Sequence, residues 1–224
     1  MIYTALDIET TGYLKYLPGT EKLMPQNQIL SVGYVNFDSE SLAIVDAGIL
    51  YFYRPEFYIE SEAQSVHHLT REFLSQFEDV FDENIAKLEA LLSNRTIVGK
   101  NSNKFDLPYL KAFLKTWAND AQGFLDVIPD TTVDMQEVFA PIYREMYYRK
   151  TGIELDGRKK GSLEDYVQVL DPTHSALNAV LEDVAGYVTV EGRDAHDALF
   201  DATMTYLVYA IVILRERKQK NGSN

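Results

Sequence analysis

Three strand-like runs come first in this chain, before any helical periodicity, and that order restricts the folds open to it. Ile2–Ile8 is an apolar run. Ile29–Phe37 and Leu42–Phe52 are apolar and β-branched, and the polar stretch Asp38-Ser39-Glu40-Ser41 between them predicts a hairpin. The interval Leu14–Gln28, with Pro18, Gly19 and Pro25, reads as a loop-like insertion. Arg54–Thr70 is irregular and Arg71–Glu78 reads as a short helix. Glu83–Leu92 is a clearer one, with Ile85, Leu88, Leu91 and Leu92 at helical spacing. Thr96–Gly99 is a short strand. Phe105–Trp117 carries Leu107, Leu110, Phe113, Leu114 and Trp117 on one face, with Pro108 near its start, where proline is tolerated.

Thr131–Met135 reads as a further strand and Gln136 into the Tyr147 region as a helix. Thr151–Gly161 is basic, contains glycine and is expected to be exposed. Ser162 is a helix N-cap with Asp165 completing a near capping box, and that helix runs to Leu170. Residues 171–193 take no clear assignment, and His196–Arg217 contains a long final helix. Three antiparallel strands followed by alternating helices and strands predict an α/β fold: a mixed five-stranded sheet with helices on both faces.

The 224 residues suit one such domain, residues 1–224, with insertions near 13–27, 140–160 and 171–193. There is no cysteine, so any metal sits on oxygen or imidazole ligands. The longest apolar run, Tyr206–Leu214, is short of the roughly 20 residues a membrane span needs, and no secretory leader is evident. A soluble, cytoplasmic protein is the expectation. A net charge of −13 argues against a protein that coats nucleic acid electrostatically. It is compatible with an enzyme whose bound cations meet a strand end.

Asp7 and Glu9 lie two apart on the first strand, so both carboxylates point to one face while Leu6 and Ile8 point to the other. Paired carboxylates repel, and a hard divalent cation relieves that repulsion. Thr10-Thr11-Gly12 then turns the chain, and the glycine permits close approach to the backbone. Asp106 stands at a helix start, where an aspartate is favoured by the dipole alone. His196 and Asp201 are five residues apart, about 500° on a regular helix, so they converge only if His196 sits on the entry loop or first turn.

Together, Tyr3–Gly12, Asn101–Leu110 and His196–Ala202 resemble the three exonuclease motifs of the DnaQ-like 3′–5′ exonucleases, in their histidine-containing (DEDDh) branch of the RNase H-like superfamily. The segments Ser65–Thr70 and Ser162–Tyr166 extend the resemblance. It implies a two-metal phosphodiester hydrolase releasing nucleoside monophosphates from a 3′ end, with two divalent cations, Mg2+ or Mn2+. By the same resemblance Asp7, Glu9 and Asp201 bind one ion, Asp7 bridges to a second, Asp106 assists through water, and His196 is the general base. It implies substrate contacts at Thr10, Thr11, Gly12, His67, Asn101 and Phe105. Phe105 reads equally as a core aromatic, and His68 departs from the family's usual His-Gly. A tyrosine branch of the family has tyrosine four residues before the last aspartate, where this chain has Asp197.

The implied partner is a nucleic-acid 3′ end, single-stranded DNA before RNA, and no membrane. A polymerase or a second copy as partner is not legible. The alternatives are a catalytically silent nucleic-acid-binding or polymerase-associated subunit on the same fold, or an exoribonuclease. One cluster stands apart: Tyr143, Arg144, Tyr147, Tyr148, Arg149, Lys150, Arg158, Lys159 and Lys160 mix aromatic and basic residues. That composition suits single-strand stacking, and equally a helix with a solvated charged face. His174 reads as a surface residue, and Arg215, Arg217, Lys218 and Lys220 as a polar tail.

Overall fold

The computed structural model describes residues 1–16, 18–20, 23–24, 27–118, 128–129, 132–157 and 160–221. Strand β1 (Ile2–Thr10) is central. It pairs antiparallel with β2 (Ile29–Asp38), which pairs antiparallel with β3 (Ile44–Tyr51). On its other side β1 pairs in parallel with β4 (Thr96–Gly99), and β4 with β5 (Val133–Asp134). The order β3-β2-β1-β4-β5 is the mixed five-stranded sheet expected from the sequence. The proposed strand at 131–135 narrows to two residues, and its first position, Thr131, lies outside the described residues, as do Arg158 and Lys159 and parts of the 13–27 insertion.

Alternation along β1 sends its side chains into two cores. Leu6 and Ile8 join Ile29, Val32 and the apolar faces of α3 (Phe81–Leu92) and α4 (Asp106–Trp117). Ala5, with Val35, Phe37 and Val98, packs under α5 (Met135–Thr151), α6 (Leu163–Leu170) and the final helix. Asp7 and Glu9 share the face of Ala5. They therefore look toward that final helix, α8 (Ala198–Asn221), on which α6 and α7 (Ser175–Ala185) also pack.

Helix α8 is buried all round from Asp201 through Ala210. It is long and apolar enough to meet the length and composition of a membrane span, beyond the Tyr206–Leu214 run, yet 72% of its apolar stretch is buried inside the fold. An apolar helix of this kind is explained by a core position.

Two elements differ from expectation. The irregular stretch 54–70 contains α1 (Ser61–His67), followed by α2 (Arg71–Leu74), which Thr70 caps through the Phe73 N–H. Residues 171–193 contain α7. The box at Ser162 is as expected: its hydroxyl accepts the Asp165 N–H at 3.1 Å, and the Asp165 carboxylate accepts the Ser162 N–H at 2.9 Å. The aromatic and basic cluster divides. Tyr143 is buried against Tyr166 and Tyr147, whereas Arg149 pairs with Glu145 on the solvated face.

Candidate active site

The site lies where β1 ends, between the starts of α4 and α8. Its carboxylates arrive on three elements: Asp7 and Glu9 on β1, Asp106 on α4 and Asp201 on α8. Asp7 pairs in register with Gly33 of β2, and Glu9 with Ser31. Between Glu9 and Thr10 the register then shifts, and the extra residue, Leu30, is on β2.

Asp106 is the first residue of α4 and is 3% exposed. The turn before it is held by a residue that sequence reasoning missed. Asp134, at the end of β5, accepts the backbone N–H of Asn101 at 2.8 Å and that of Asn103 at 3.4 Å, and caps α5 through the Gln136 N–H at 2.9 Å. Asn103 in turn accepts the Thr132 N–H at 2.6 Å, and Ser102 bonds the Thr132 hydroxyl. Asn101 has a left-handed backbone, φ 58°, and its amide oxygen accepts from Gln136 Nε2 at 2.9 Å. Its side chain is committed to this turn.

His196 sits on the turn before α8 with φ 67°, as the five-residue spacing required. A left-handed non-glycine residue costs about 1–2 kcal/mol, and such strain concentrates at functional sites. Asp197 caps α8, accepting the N–H groups of Leu199 at 3.0 Å and Phe200 at 3.2 Å. Asp201, 8% exposed, follows one turn into the helix. Ligand atoms of Glu9, His196 and Asp201 all lie within 4.8 Å of one another.

The electrostatics tie the remaining carboxylates to this group. Burial raises the Asp7 carboxyl well above its ordinary value, and the charges of Asp201, Asp106 and Glu9 raise it further. Burial, then Asp201, Asp106 and Asp197, push Glu9 up to about 9. Burial first, with Asp134 also raising it, puts Asp106 at about 7, where backbone N–H groups pull the other way. Asp201 is also raised to about 7, by burial and then Glu164. Lys100 opposes the shifts at Asp7, Asp106 and Asp201. Lys100 carried no signal in sequence, and Glu164 only its place in the segment Ser162–Tyr166. The Asp201 Oδ1 atom is buried with no hydrogen-bond partner. Mutually repelling buried carboxylates with an orphaned oxygen are satisfied by protons or by a hard divalent cation.

Beside Glu9 opens a cavity of about 270 Å3, lined by Thr10, Gly12, His67 and Phe105 together with Tyr13, Glu60, Glu62 and Val66. Thr10, Gly12, His67 and Phe105 thus meet as expected. Thr11 does not join them: it is fully buried, and its hydroxyl accepts the Gln28 N–H at 2.7 Å. A Cβ on Gly12 would stand 2.6 Å from the Glu60 carboxyl, the end of a flexible side chain that would have to swing aside. His67 is buried, and burial lowers its pKa to about 4, so it is neutral near pH 7. Its Nδ1 accepts the Leu69 N–H at 3.0 Å, which puts the ring proton on Nε2, a buried atom without a partner. His68 ends α1 in a left-handed conformation, and His174 is exposed at the start of α7.

The sequence matches no protein-family profile and no curated protein. Solved structures do match. E. coli exonuclease I in complex with a dT13 oligonucleotide superposes with a TM-score of 0.62 over 98% of this chain at 16% identity. The chain has the exonuclease I fold. A moderately thermophilic exonuclease I from Methylocaldum szegediense gives 0.61 over 97% of the chain at 19% identity. A zinc-bound form of the E. coli exonuclease I–DNA complex gives 0.60 at 16% identity. The chain spans 41–42% of the length of these exonuclease I chains.

Proposed function

We propose that the protein is a divalent-cation-dependent 3′–5′ exonuclease that releases nucleoside monophosphates from single-stranded DNA. The observation that carries this reading is the convergence of Glu9, His196 and Asp201 within 4.8 Å, electrostatically tied to Asp7 and Asp106, on the exonuclease I fold. Solved exonuclease I structures contain dT13 and dA16 oligonucleotides, which supports single-stranded DNA as the substrate.

The donor set fits a cation. It is oxygen and imidazole only, its carboxylates repel one another, and Asp201 Oδ1 lacks a partner. Asp7, Glu9 and Asp201 would hold one Mg2+ or Mn2+, and Asp7, with Asp106 through water, a second. Bound there, such ions stabilise the attacking and leaving oxygens and lower the pKa of water.

The chain's own residues supply the rest. His196, exposed at the mouth, takes the proton of the attacking water on a ring nitrogen, a task suited to imidazole near neutral pH. The cavity beside Glu9 receives the terminal nucleoside. Phe105 offers it an aromatic face and the neutral His67 ring forms part of the wall. Glu9 lines this cavity and also belongs to the carboxylate cluster, so the terminal nucleotide is bound next to the scissile phosphate.

The test is a gel assay with 5′-labelled single-stranded DNA, duplex DNA and RNA, each with Mg2+, Mn2+ or EDTA, beside Asp7→Ala. The expected result is a metal-dependent ladder shortening from the 3′ end, fastest on single-stranded DNA and absent in the variant. No cleavage of any substrate by folded protein overturns the proposal, and fastest cleavage of RNA reassigns the substrate.

A further inference from the structure

Arg193 lies outside all three sequence motifs, yet it is wired into the turn that carries His196. Its Nη1 donates to Asp197 Oδ2 at 2.6 Å and to the Tyr51 hydroxyl at 3.2 Å, and its Nε donates to the Thr189 carbonyl at 2.8 Å. These partners come from the cap of α8, the end of β3 and the stretch leading into the turn. The ion pair is largely enclosed, with side-chain exposures of 16% for Arg193 and 20% for Asp197. Tyr51 is itself fixed, stacked on Phe77 at 4.6 Å and edge-on to Phe73 at 5.1 Å.

The turn needs such a tie. Gly192 and His196 both hold positive φ, 77° and 67°. Asp197 closes the turn by donating its N–H to Asp194 O at 3.1 Å, and it starts α8 by accepting the Asp201 N–H at 2.9 Å. A strained residue persists only where its surroundings over-determine it. The backbone bonds fix Asp197 to the helix, while Arg193 fixes it to the sheet. A planar guanidinium reaches three acceptors at set angles, which an ammonium on a flexible stem does not reproduce. The same ion pair keeps the Asp197 carboxylate, which raises the pKa of both Glu9 and Asp201, engaged away from the acidic centre.

We infer that Arg193 is a positioning residue: by clamping Asp197 to Tyr51, it holds the left-handed turn that presents His196 to Glu9 and Asp201. This rests on the exonuclease reading, and wild-type activity is the control that separates the two. If the wild type does not cleave, the exonuclease reading fails.

With an active wild type, Arg193→Ala, Arg193→Lys and Asp197→Asn are compared by steady-state kinetics on a single-stranded oligonucleotide. Asp197→Asn keeps a good cap through its amide oxygen and replaces the charged acceptor of Arg193 with an NH2 donor. A misplacement of about 1 Å costs about a hundredfold in rate, so kcat should fall by about that factor in Arg193→Ala while KM stays near wild type. Arg193→Lys should recover only part of it, and Asp197→Asn should share the kcat loss despite its intact cap. Free guanidinium at low millimolar concentration should restore part of the activity of Arg193→Ala, and the His196 ring resonances should move in that variant without added metal. Wild-type kcat in Arg193→Ala overturns the inference. So does a loss matched by melting of the protein, with no guanidinium rescue. Should Arg193→Ala not fold, Tyr51→Phe removes one hydroxyl of the clamp, and unchanged kcat together with unmoved His196 resonances there overturns the inference.

Discussion

A Cβ on Gly33 would lie 2.1 Å from the carbonyl oxygen of Ala198. Gly33 is the register partner of Asp7, and Ala198 is the first residue of α8. The absent side chain is therefore what lets the last helix touch the sheet beside the first carboxylate. Gly33→Ala forces backbone to move, and overpacking of this kind costs about 1–3 kcal/mol. The expected outcome is a lower melting temperature with a larger loss of nuclease activity, because the shift falls between Asp7 and Asp201. Thermal melts and cleavage assays on the same preparation check it.

The carboxylate cluster sets a pH dependence of stability in the absence of metal. Glu9 rises from an ordinary 4.5 to about 9 in the fold, and Asp7 is also raised well above its ordinary value. A group whose folded pKa is raised binds more protons folded than unfolded, so stability falls as pH rises from the unfolded pKa to the folded one. For Glu9 that interval is about 4.5 to 9. Asp106 and Asp201 complete their loss by about 7. His67, lowered to about 4 from 6.5, contributes in the opposite sense, its stability gained as pH rises between those values. Between pH 7 and 9 the carboxylates act alone. In EDTA the melting temperature should fall across that range, and Mg2+ should raise it more at pH 9 than at pH 7. A flat profile in EDTA would contradict the assignment.

Asp134 satisfies N–H groups of Asn101, Asn103 and Gln136 while 3% exposed. Removing the acceptor of a buried donor costs about 1–3 kcal/mol. Asp134→Ala should lower stability by about that amount and loosen the turn before Asp106, so Mg2+ titrations of activity should shift to higher concentration. Chemical denaturation and the metal titration are independent readouts.

His67 should act on binding more than on turnover. Its ring lines the cavity and its Nδ1 fixes the Leu69 N–H, so His67→Leu should raise KM for a short oligonucleotide by about tenfold, the equivalent of one hydrogen bond. The pH profile between 6 and 8 should be unchanged, because His67 titrates near 4. A kcat defect with normal KM would place His67 elsewhere in the reaction.

Much of this was legible in sequence. The three opening strands, the apolar faces of α3 and α4 and the box at Ser162 follow from period and capping chemistry, which are local. Helix α1 was not legible, because it buries only His67 and its N-cap Glu60 makes no side-chain bond. Helix α7 hid for a similar reason. Its cap comes from Asp171, whose carboxylate accepts the N–H groups of Ser175 at 3.1 Å and Leu177 at 2.9 Å from outside the usual cap position. At the site, Asp7, Glu9, Asp106, His196 and Asp201 were readable as residues, and the structure gathers them. Thr11, a substrate contact by resemblance, is buried with its hydroxyl on the Gln28 N–H, a contact between distant residues that the motif does not show. Lys100, Asp134 and Arg193 act through contacts made only in the folded chain, and spacing carries no trace of them.

Strand β1 is the middle of the sheet and the first element in sequence, while α8 and the turn before it follow every strand and supply Asp201 and His196. Because domains acquire their long-range contacts only once both partners have emerged, a chain still being translated holds Asp7 and Glu9 without their counterparts. On this architecture the acidic centre is complete only once Asp201 has been added, whatever follows it.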